Sequence, residues 1–388
     1  MSVHSDICKG LFHRPHPLGG EQESVLIIIL HTLLGAGISP YALAPRPWLL
    51  HHQLRRSFLE IQESYPGPIY ICSEEQRKFM EKRVAIIGAG FVGSTAAYAI
   101  LLQNIVDSIL LIDIDNEKAE GHAMDLEHGI HFLRRTSIDF GTDLSLCRDA
   151  DVIVICAGYA QKPGENRLDL VIRNARLIKD LSPRLATYNR DAVYVMVTNP
   201  VDIMTYLALK YSGLSRKKVF GTGTSLDTLR FRRCLGEKFG VHPKAVHAYI
   251  LGEHGDSAFP ATSAATIGGM RISEMEGYSS EILADCYEKT REAAYEIIAR
   301  KGAAYFAIGL VISKILEGIL RDERNIVPLS TYIDNYYGEG DLCMSIPCLV
   351  GKEGIIKKYL LPLASDEQSK LHNSASVLKD TIKHICQL

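Results

Sequence analysis

Val84-Ala-Ile-Ile87, then Gly88-Ala-Gly90-Phe91-Val92-Gly93, then the run Ser94 to Gln103, then Ile109-Leu-Leu-Ile112-Asp113: this order decides the fold. Four apolar residues ending in glycine suit a strand buried on both faces, and the proline-free run of small and apolar residues that follows has helical composition. The stretch therefore reads as strand, tight turn, helix, strand. Gly88 permits the bend, Gly90 lets a pyrophosphate approach the backbone, and Gly93 lets helix and strand pack closely, with the phosphates on the helix N-terminus. Asp113 ends the second strand about twenty residues after Gly93, where a carboxylate can accept both ribose hydroxyls. A GxGxxG turn alone is a weak signal. With a strand before it, a helix after it and the acid beyond, dinucleotide binding is preferred to an ordinary glycine-rich turn. Ile114 rather than a basic residue follows Asp113, which favours NAD over NADP.

The alternation continues toward the C-terminus. Glu117 to Leu133 reads as helix, Val152 to Ile155 and Val193 to Val197 as short β-branched strands, and Leu168 to Tyr188 between them as a helix kinked or broken at Pro183. Strands alternating with helices imply an α/β fold: a doubly wound parallel (Rossmann) sheet with its ligand beyond the strands' C-terminal ends. Two loops leave those ends. Ala157 to Arg167 holds Gly158, Pro163 and Gly164 among polar residues, as a lid would, and Thr198-Asn199-Pro200 is a proline turn that holds an amide near the sheet edge. Gly221-Thr-Gly223 separates a first domain, residues 80–222, from a second α+β domain, residues 223–388. The second opens with a helix over Ser225 to Phe239, then a strand over Val246 to Leu251 that ends in Gly252-Glu-His254-Gly-Asp256. Helices over Ser279–Ala299 and Tyr305–Arg321, antiparallel strands over Ile326–Leu363 and a closing helix over Asp366–Ile385 complete it.

Residues 1 to 79 are unlike the rest, with six of the fourteen histidines, seven of the fifteen prolines and the single Trp48. The apolar run Val25 to Leu34 is too short to span a bilayer and lacks signal-peptide flanks. Gly35-Ala-Gly37 imitates the nucleotide turn, but Pro40 stands where the third glycine belongs. His13-Arg-Pro-His16 has no supporting cysteine or carboxylate cluster, so no metal is expected. Met80 is the expected functional start, with residues 1–79 an unstructured or mis-assigned extension. Mass spectrometry of the native protein decides this: peptides containing Trp48 would refute it.

A net charge of −2 and a pI of about 6.7 recruit neither nucleic acid nor anionic membrane. Nine scattered cysteines without a CxxC pair suit a reducing cytoplasm better than a disulfide framework.

The chemistry-bearing residues come in a telling order. Reduction of a 2-keto acid needs a bidentate cation for the carboxylate, a proton donor for the ketone oxygen, and exclusion of water. Arg230 offers the fork, and His254 titrates in the right range. Asp227, three residues before Arg230 on one helix face, can hold the imidazole's other nitrogen. Arg167, at the end of the lid, can polarise the carbonyl. Arg232, two residues from Arg230, must point the other way.

With Gly88 to Gly93, Gln161-Lys-Pro-Gly164, Arg167, Thr198-Asn-Pro200, Asp227-Thr-Leu-Arg230 and Leu251-Gly-Glu-His-Gly-Asp256 in sequence, the chain from about Lys82 to Leu388 resembles the lactate and malate dehydrogenase family, and within it the allosteric bacterial lactate branch. The resemblance implies NAD-dependent reduction of pyruvate to L-lactate in fermentation, with His254 as acid/base, Asp227 as its orienter, Arg230 as carboxylate clamp, Arg167 as mobile-loop arginine and Asn199 as a contact to substrate and nicotinamide. Phe91, Val92, Ala157, Gly158 and Thr198 join Gly88, Gly90, Gly93 and Asp113 as expected cofactor contacts. Malate enzymes of the family carry an arginine where this chain has Gln161, so a monocarboxylic substrate is favoured. Ala304 stands where the lactate pattern has threonine, which leaves longer 2-keto acids open. Arg232 and His247 match positions that bind fructose 1,6-bisphosphate between subunits, which implies a homotetramer. The rivals are a malate or branched-chain 2-hydroxy acid dehydrogenase and, in another class, a non-catalytic dinucleotide-binding protein. Loss of His254, Asp227, Arg230 or Arg167 would mark the latter, and all four are present.

Overall fold

The computed structural model describes residues 81–133, 135–159 and 167–387; the expected N-terminal extension, the two histidines at 13 and 16 and Gln161 lie outside them. The glycine-turn stretch folds as β1 (Arg83–Ile87), α1 (Phe91–Gln103) and β2 (Ser108–Ile112). It is followed by α2 (Asn116–Gly129), β3 (Ser137–Gly141), β4 (Val152–Ile155), α3 (Arg167–Tyr188), β5 (Val193–Met196), α4 (Val201–Ser212) and β6 (Val219–Gly221). These six strands lie in the order β3-β2-β1-β4-β5-β6, and all five pairings are parallel. That is the doubly wound order, with its reversal at β1 and β4. After Arg83 and Ser108, which open β1 and β2, the strands β1, β2, β4 and β5 are runs of side chains buried on both faces, as a parallel sheet covered by helices requires.

Further on come α5 (Ser225–Lys238), β7 (Val246–His247), β8 (Ile250–Leu251), β9 (Phe259–Pro260), β10 (Thr266–Ile267) and β11 (Met270–Arg271). Helices α6 (Ser280–Lys301) and α7 (Phe306–Leu320) precede β12 (Asn325–Ile333), β13 (Leu342–Gly351) and β14 (Gly354–Lys358), and α8 (Ser365–Cys386) closes the chain. β12 joins the parallel sheet antiparallel to β6, through the pair Ser330–Gly221, and β13 and β14 follow, each antiparallel to the strand before it, to make nine strands. A second, smaller core gathers Phe231 and Leu235 of α5 with Val246, Ala248, Ile250, Ile267 and Leu283.

Three expectations change. The segment from Val246 to Leu251 is two short strands in different sheets, because β7 pairs with β10 and β8 with β9. Helix α3 runs through Pro183 without a break; buried Ile178, Leu181 and Leu185 hold it to the core on both sides of the missing N–H. Cys234 of α5 and Cys286 of α6 form a disulfide, with Cα atoms 5.5 Å apart, between helices that meet in the smaller core. Fifty-two residues separate the two cysteines, so spacing gave no hint of the pair. Five other described cysteines are free. No helix among the described residues is long and apolar enough to cross a membrane.

Candidate active site

The glycine turn is built around two backbone collisions that any side chain would cause. Gly88 has φ +99°, and a Cβ there would stand 2.6 Å from the Ala157 nitrogen. At Gly93 a Cβ would fall 1.9 Å from the Gly88 carbonyl oxygen, so helix and strand can pack this closely only on glycine. Gly90 differs: a Cβ there would meet no atom of the chain within 4 Å. It caps α1, with Phe91 and Val92 in the first turn, where the unpaired helix N–H groups and dipole suit a phosphate. Asp113, just after β2, accepts the Ala89 N–H at 2.6 Å and the Asp115 N–H at 3.1 Å. Its carboxylate therefore braces the turn from the second strand. These residues fit a dinucleotide.

Beside the turn, the loops after β4 and β5 are tied together. Thr198 donates its hydroxyl to the Ala157 carbonyl at 2.7 Å, and a Cβ on Gly158 would come within 2.5 Å of the Thr198 methyl. Asn174 of α3 completes the tie by accepting the Tyr159 N–H and donating to the Asn199 carbonyl, both at 2.8 Å. The Asn199–Pro200 peptide is cis. Asn174 was not singled out by sequence, since a polar residue inside a helix gives no sign of facing two loops at once.

The second group forms where β8 leads into the Gly252–Asp256 loop. Helix α5 grips β8 by both polar groups of Ile250: the hydroxyl of Thr224 donates to its carbonyl at 2.6 Å, and that of Thr228 accepts its N–H at 2.9 Å. The loop beyond is held by the Gly252–Ser345 bridge to β13 and by Ser374 of α8, which accepts the Glu253 N–H at 2.6 Å. Asp227 lies one residue before Thr228, so the same helix fixes its distance to the histidine. Asp227 Oδ2 lies 2.7 Å from His254 Nδ1, and Arg230 Nη1 donates to Asp227 Oδ1 at 3.2 Å. Asp227 and Arg230 side chains are each 16% exposed, while His254 keeps 29%, enough to meet a ligand.

The charges reinforce one another. Burial works against the charged imidazole, but the Asp227 carboxylate, with help from Asp202, outweighs burial and the nearby Arg230 and raises the His254 pKa to about 9. Burial likewise opposes ionisation of Asp227, yet His254 and Arg230 hold its pKa below the usual carboxylate value. With Nδ1 engaged by Asp227, Nε2 is the nitrogen left to exchange a proton.

The other expected residues are placed as follows. Arg167 opens α3, and its side chain lies outside the described part. Ala304 is half-buried in the link between α6 and α7 and touches neither group through a hydrogen bond. Arg232 turns away from Asp227: its Nε donates to the Ala248 carbonyl at 2.8 Å and its guanidinium lies over the Tyr249 ring. His247 is exposed on β7, next to Ala248. Among the described residues no three His, Cys, Asp or Glu side chains gather as a metal site.

The chain is similar to known proteins over most of its length. A profile described as "lactate/malate dehydrogenase, NAD binding domain" matches residues 82–221, and one described as "lactate/malate dehydrogenase, alpha/beta C-terminal domain" matches 224–388. An L-lactate dehydrogenase of Synechococcus sp. (strain JA-3-3Ab) is 43% identical over 302 residues, 78% of this chain and 98% of that protein. One from Clostridium botulinum (strain Loch Maree / Type A3) is 41% identical over 307 residues, 78% of this chain and 96% of that protein. Among solved structures, a lactate dehydrogenase from a Medee basin deep-sea metagenome library superposes with a TM-score of 0.76 at 40% identity, covering 79% of this chain and 100% of that one. The minor L-lactate dehydrogenase from Enterococcus mundtii, in a ligand-bound form, gives 0.76 at 39% identity, covering 78% and 98%.

Proposed function

Because this chain belongs to the lactate/malate dehydrogenase family, we propose that it is an NAD-dependent L-lactate dehydrogenase that interconverts pyruvate and L-lactate. The observation that carries the reading is Asp227 bridging His254 and Arg230, a proton donor and a carboxylate clamp held by one helix. In this reading residues 80–222 hold the cofactor and 223–388 complete the substrate site. NADH, when bound, supplies the hydride. Gly88, Gly90, Phe91, Val92 and Gly93 receive its pyrophosphate, Asp113 its ribose, and Ala157, Gly158, Thr198 and Asn199 line its nicotinamide half.

Arg230 pairs with the substrate carboxylate through the guanidinium edge not used by Asp227. His254 stands protonated at neutral pH and gives the Nε2 proton to the ketone oxygen as the alcohol forms; in the reverse direction the neutral ring takes it back. Asp227 keeps the ring oriented and favours its charged form. Arg167 polarises the carbonyl as negative charge develops, and Gln161, uncharged, leaves no partner for a second carboxylate. Ala304 makes the pocket wall small.

The same reading includes activation by fructose 1,6-bisphosphate at Arg232 and His247 in a homotetramer, and a fermentative role in the cytoplasm. Support for the effector comes from Arg232, which is bonded beside His247 on the helix face away from Asp227. Five of the seven described cysteines are free, which suits that compartment, while the Cys234–Cys286 disulfide stands against it. The test is NADH oxidation with pyruvate, oxaloacetate and 2-ketoisocaproate, each with and without the bisphosphate. Pyruvate should be preferred and its half-saturation lowered by the effector. Preference for oxaloacetate would contradict the substrate, and an unmoved saturation curve would contradict the activation.

A further inference from the structure

Cys234 and Cys286 have no part in the mechanism above, yet they join the two helices between which the histidine loop is held. Helix α5 holds the start of that loop through Thr224 and Thr228, which bond both polar groups of Ile250. Helix α6 holds its end: the Tyr287 hydroxyl donates to the Ala258 carbonyl, and that of Tyr295 to Asp256 Oδ1 at 2.9 Å. Cys286 directly precedes Tyr287. Cys234 stands one turn beyond Arg230 and two turns beyond Asp227, on the same face of α5. The disulfide therefore fixes the spacing between the helix that carries Asp227 and the helix that holds the far end of the loop bearing His254. A second tie between the helices, the ion pair Lys238–Asp285 at 2.9 Å, has both side chains more than a third exposed, and so open a pair holds little.

The bond can be exchanged from one side. Cys286 is 0% exposed, whereas Cys234 is half-buried at the rim of the smaller core. A thiolate arriving from solvent meets Cys234 Sγ first. We propose that Cys234–Cys286 is a redox latch on the active site: closed, it holds Asp227 against His254, and opened by a dithiol reductant, it frees α5 and α6 from each other and loosens that contact. This rests on the reading of His254 and Asp227 as the acid/base and its orienter. In the exchange, one thiolate of the dithiol bonds to Cys234 Sγ, the bond between the two cysteine sulfurs breaks, and Cys286 leaves as a thiolate. The dithiol's second thiolate then attacks the mixed disulfide and releases Cys234. Two electrons and two protons pass from the dithiol, which becomes a disulfide, to the cysteine pair, which becomes two thiols. The reverse exchange closes the latch. The His254 imidazole faces Asp227 and Arg230 from α5 and Asp202 from α4, and Asp202 Oδ2 accepts the His254 N–H at 2.7 Å. Of these groups, those on α5 are the ones the latch governs.

The test compares the full-length protein after treatment with dithiothreitol and after treatment with oxidised glutathione, with free thiols alkylated and located by mass spectrometry. Cys234 and Cys286 should be labelled in the reduced sample alone; labelling of both in the oxidised sample would overturn the latch. Amide exchange over residues 252–258 reads the loop without turnover and should be several-fold faster after reduction. kcat/KM for pyruvate with NADH should fall several-fold, with its alkaline limb moved toward neutral pH. Cys234→Ser, a change at the rim that leaves Cys286 in place, should match the reduced protein and ignore dithiothreitol. A response to dithiothreitol that persists in Cys234→Ser would overturn the assignment to this pair. Equal exchange and coincident pH profiles in the two states would overturn the latch while leaving the acid/base reading standing. Faster exchange on reduction, with pyruvate turned over in neither state, would support the latch and overturn the catalytic reading.

Discussion

In the proposed reaction His254 donates a proton at neutral pH, so it has to be kept charged inside a partly buried site, and Asp227 does most of that. Replacing it by asparagine removes the attraction and leaves the burial, so the His254 pKa should drop from about 9 toward or below the ordinary imidazole value. The pH profile of pyruvate reduction by Asp227→Asn should lose its plateau near neutrality, and a profile like that of the parent enzyme would argue against the pairing. The same shift appears in stability. The folded-state value lies above the unfolded one of 6.5, so the stabilisation from charged His254 is fully present below about pH 6.5 and is lost as pH rises through about 9. Denaturant midpoints should decline over that window and do so less in Asp227→Asn. His254, Asp227 and Arg230 were legible in the sequence because each sits in a short pattern whose chemistry can be named. Asp202 and Asn174 were not: the former looks like an ordinary helix-start acid and the latter like a surface amide, and only tertiary packing turns them toward the loops they hold.

At the scale of elements, the turn from β1 into α1 tolerates no side chain at its third glycine. Gly93→Ala would force a methyl against the Gly88 carbonyl, which belongs to backbone and cannot swing aside. It should cost about 1–3 kcal/mol of stability and weaken NADH binding, read by thermal melting and by fluorescence titration. An unchanged melting temperature would contradict the packing. The loop expected to act as a lid offers a complementary change: Gln161→Arg should gain oxaloacetate turnover at pyruvate's expense, and an unaltered preference would refute the proposed role of Gln161. Elements were legible where apolar runs were long. β3, with Ile138 its one buried residue, and the three-residue β6 gave too little pattern to assign, and the division of Val246–Leu251 depends on partners distant in sequence. Pro183 does not break its helix, since packing on both sides of it outweighs one lost hydrogen bond.

At the scale of the molecule, the parallel sheet and its antiparallel extension are one nine-stranded sheet, and the proposed site draws residues from both halves of the chain. The glycine turn and the Asn199 loop come from one half of the chain, while His254, Asp227 and Arg230 come from the other. Gly223 stands near the junction with φ +50°, where a Cβ would lie 2.5 Å from the Ser330 nitrogen, so the chain passes from one half to the other through a point open only to glycine. The central claim is that pyruvate is reduced here by hydride from NADH, with the accompanying proton given to the ketone oxygen by His254. Its most direct test compares kcat/KM for pyruvate with NADH between the parent chain and His254→Gln, with NADH affinity measured alongside. The account predicts a loss of about 10²–10⁴-fold with NADH binding intact; turnover retained in the variant would contradict it.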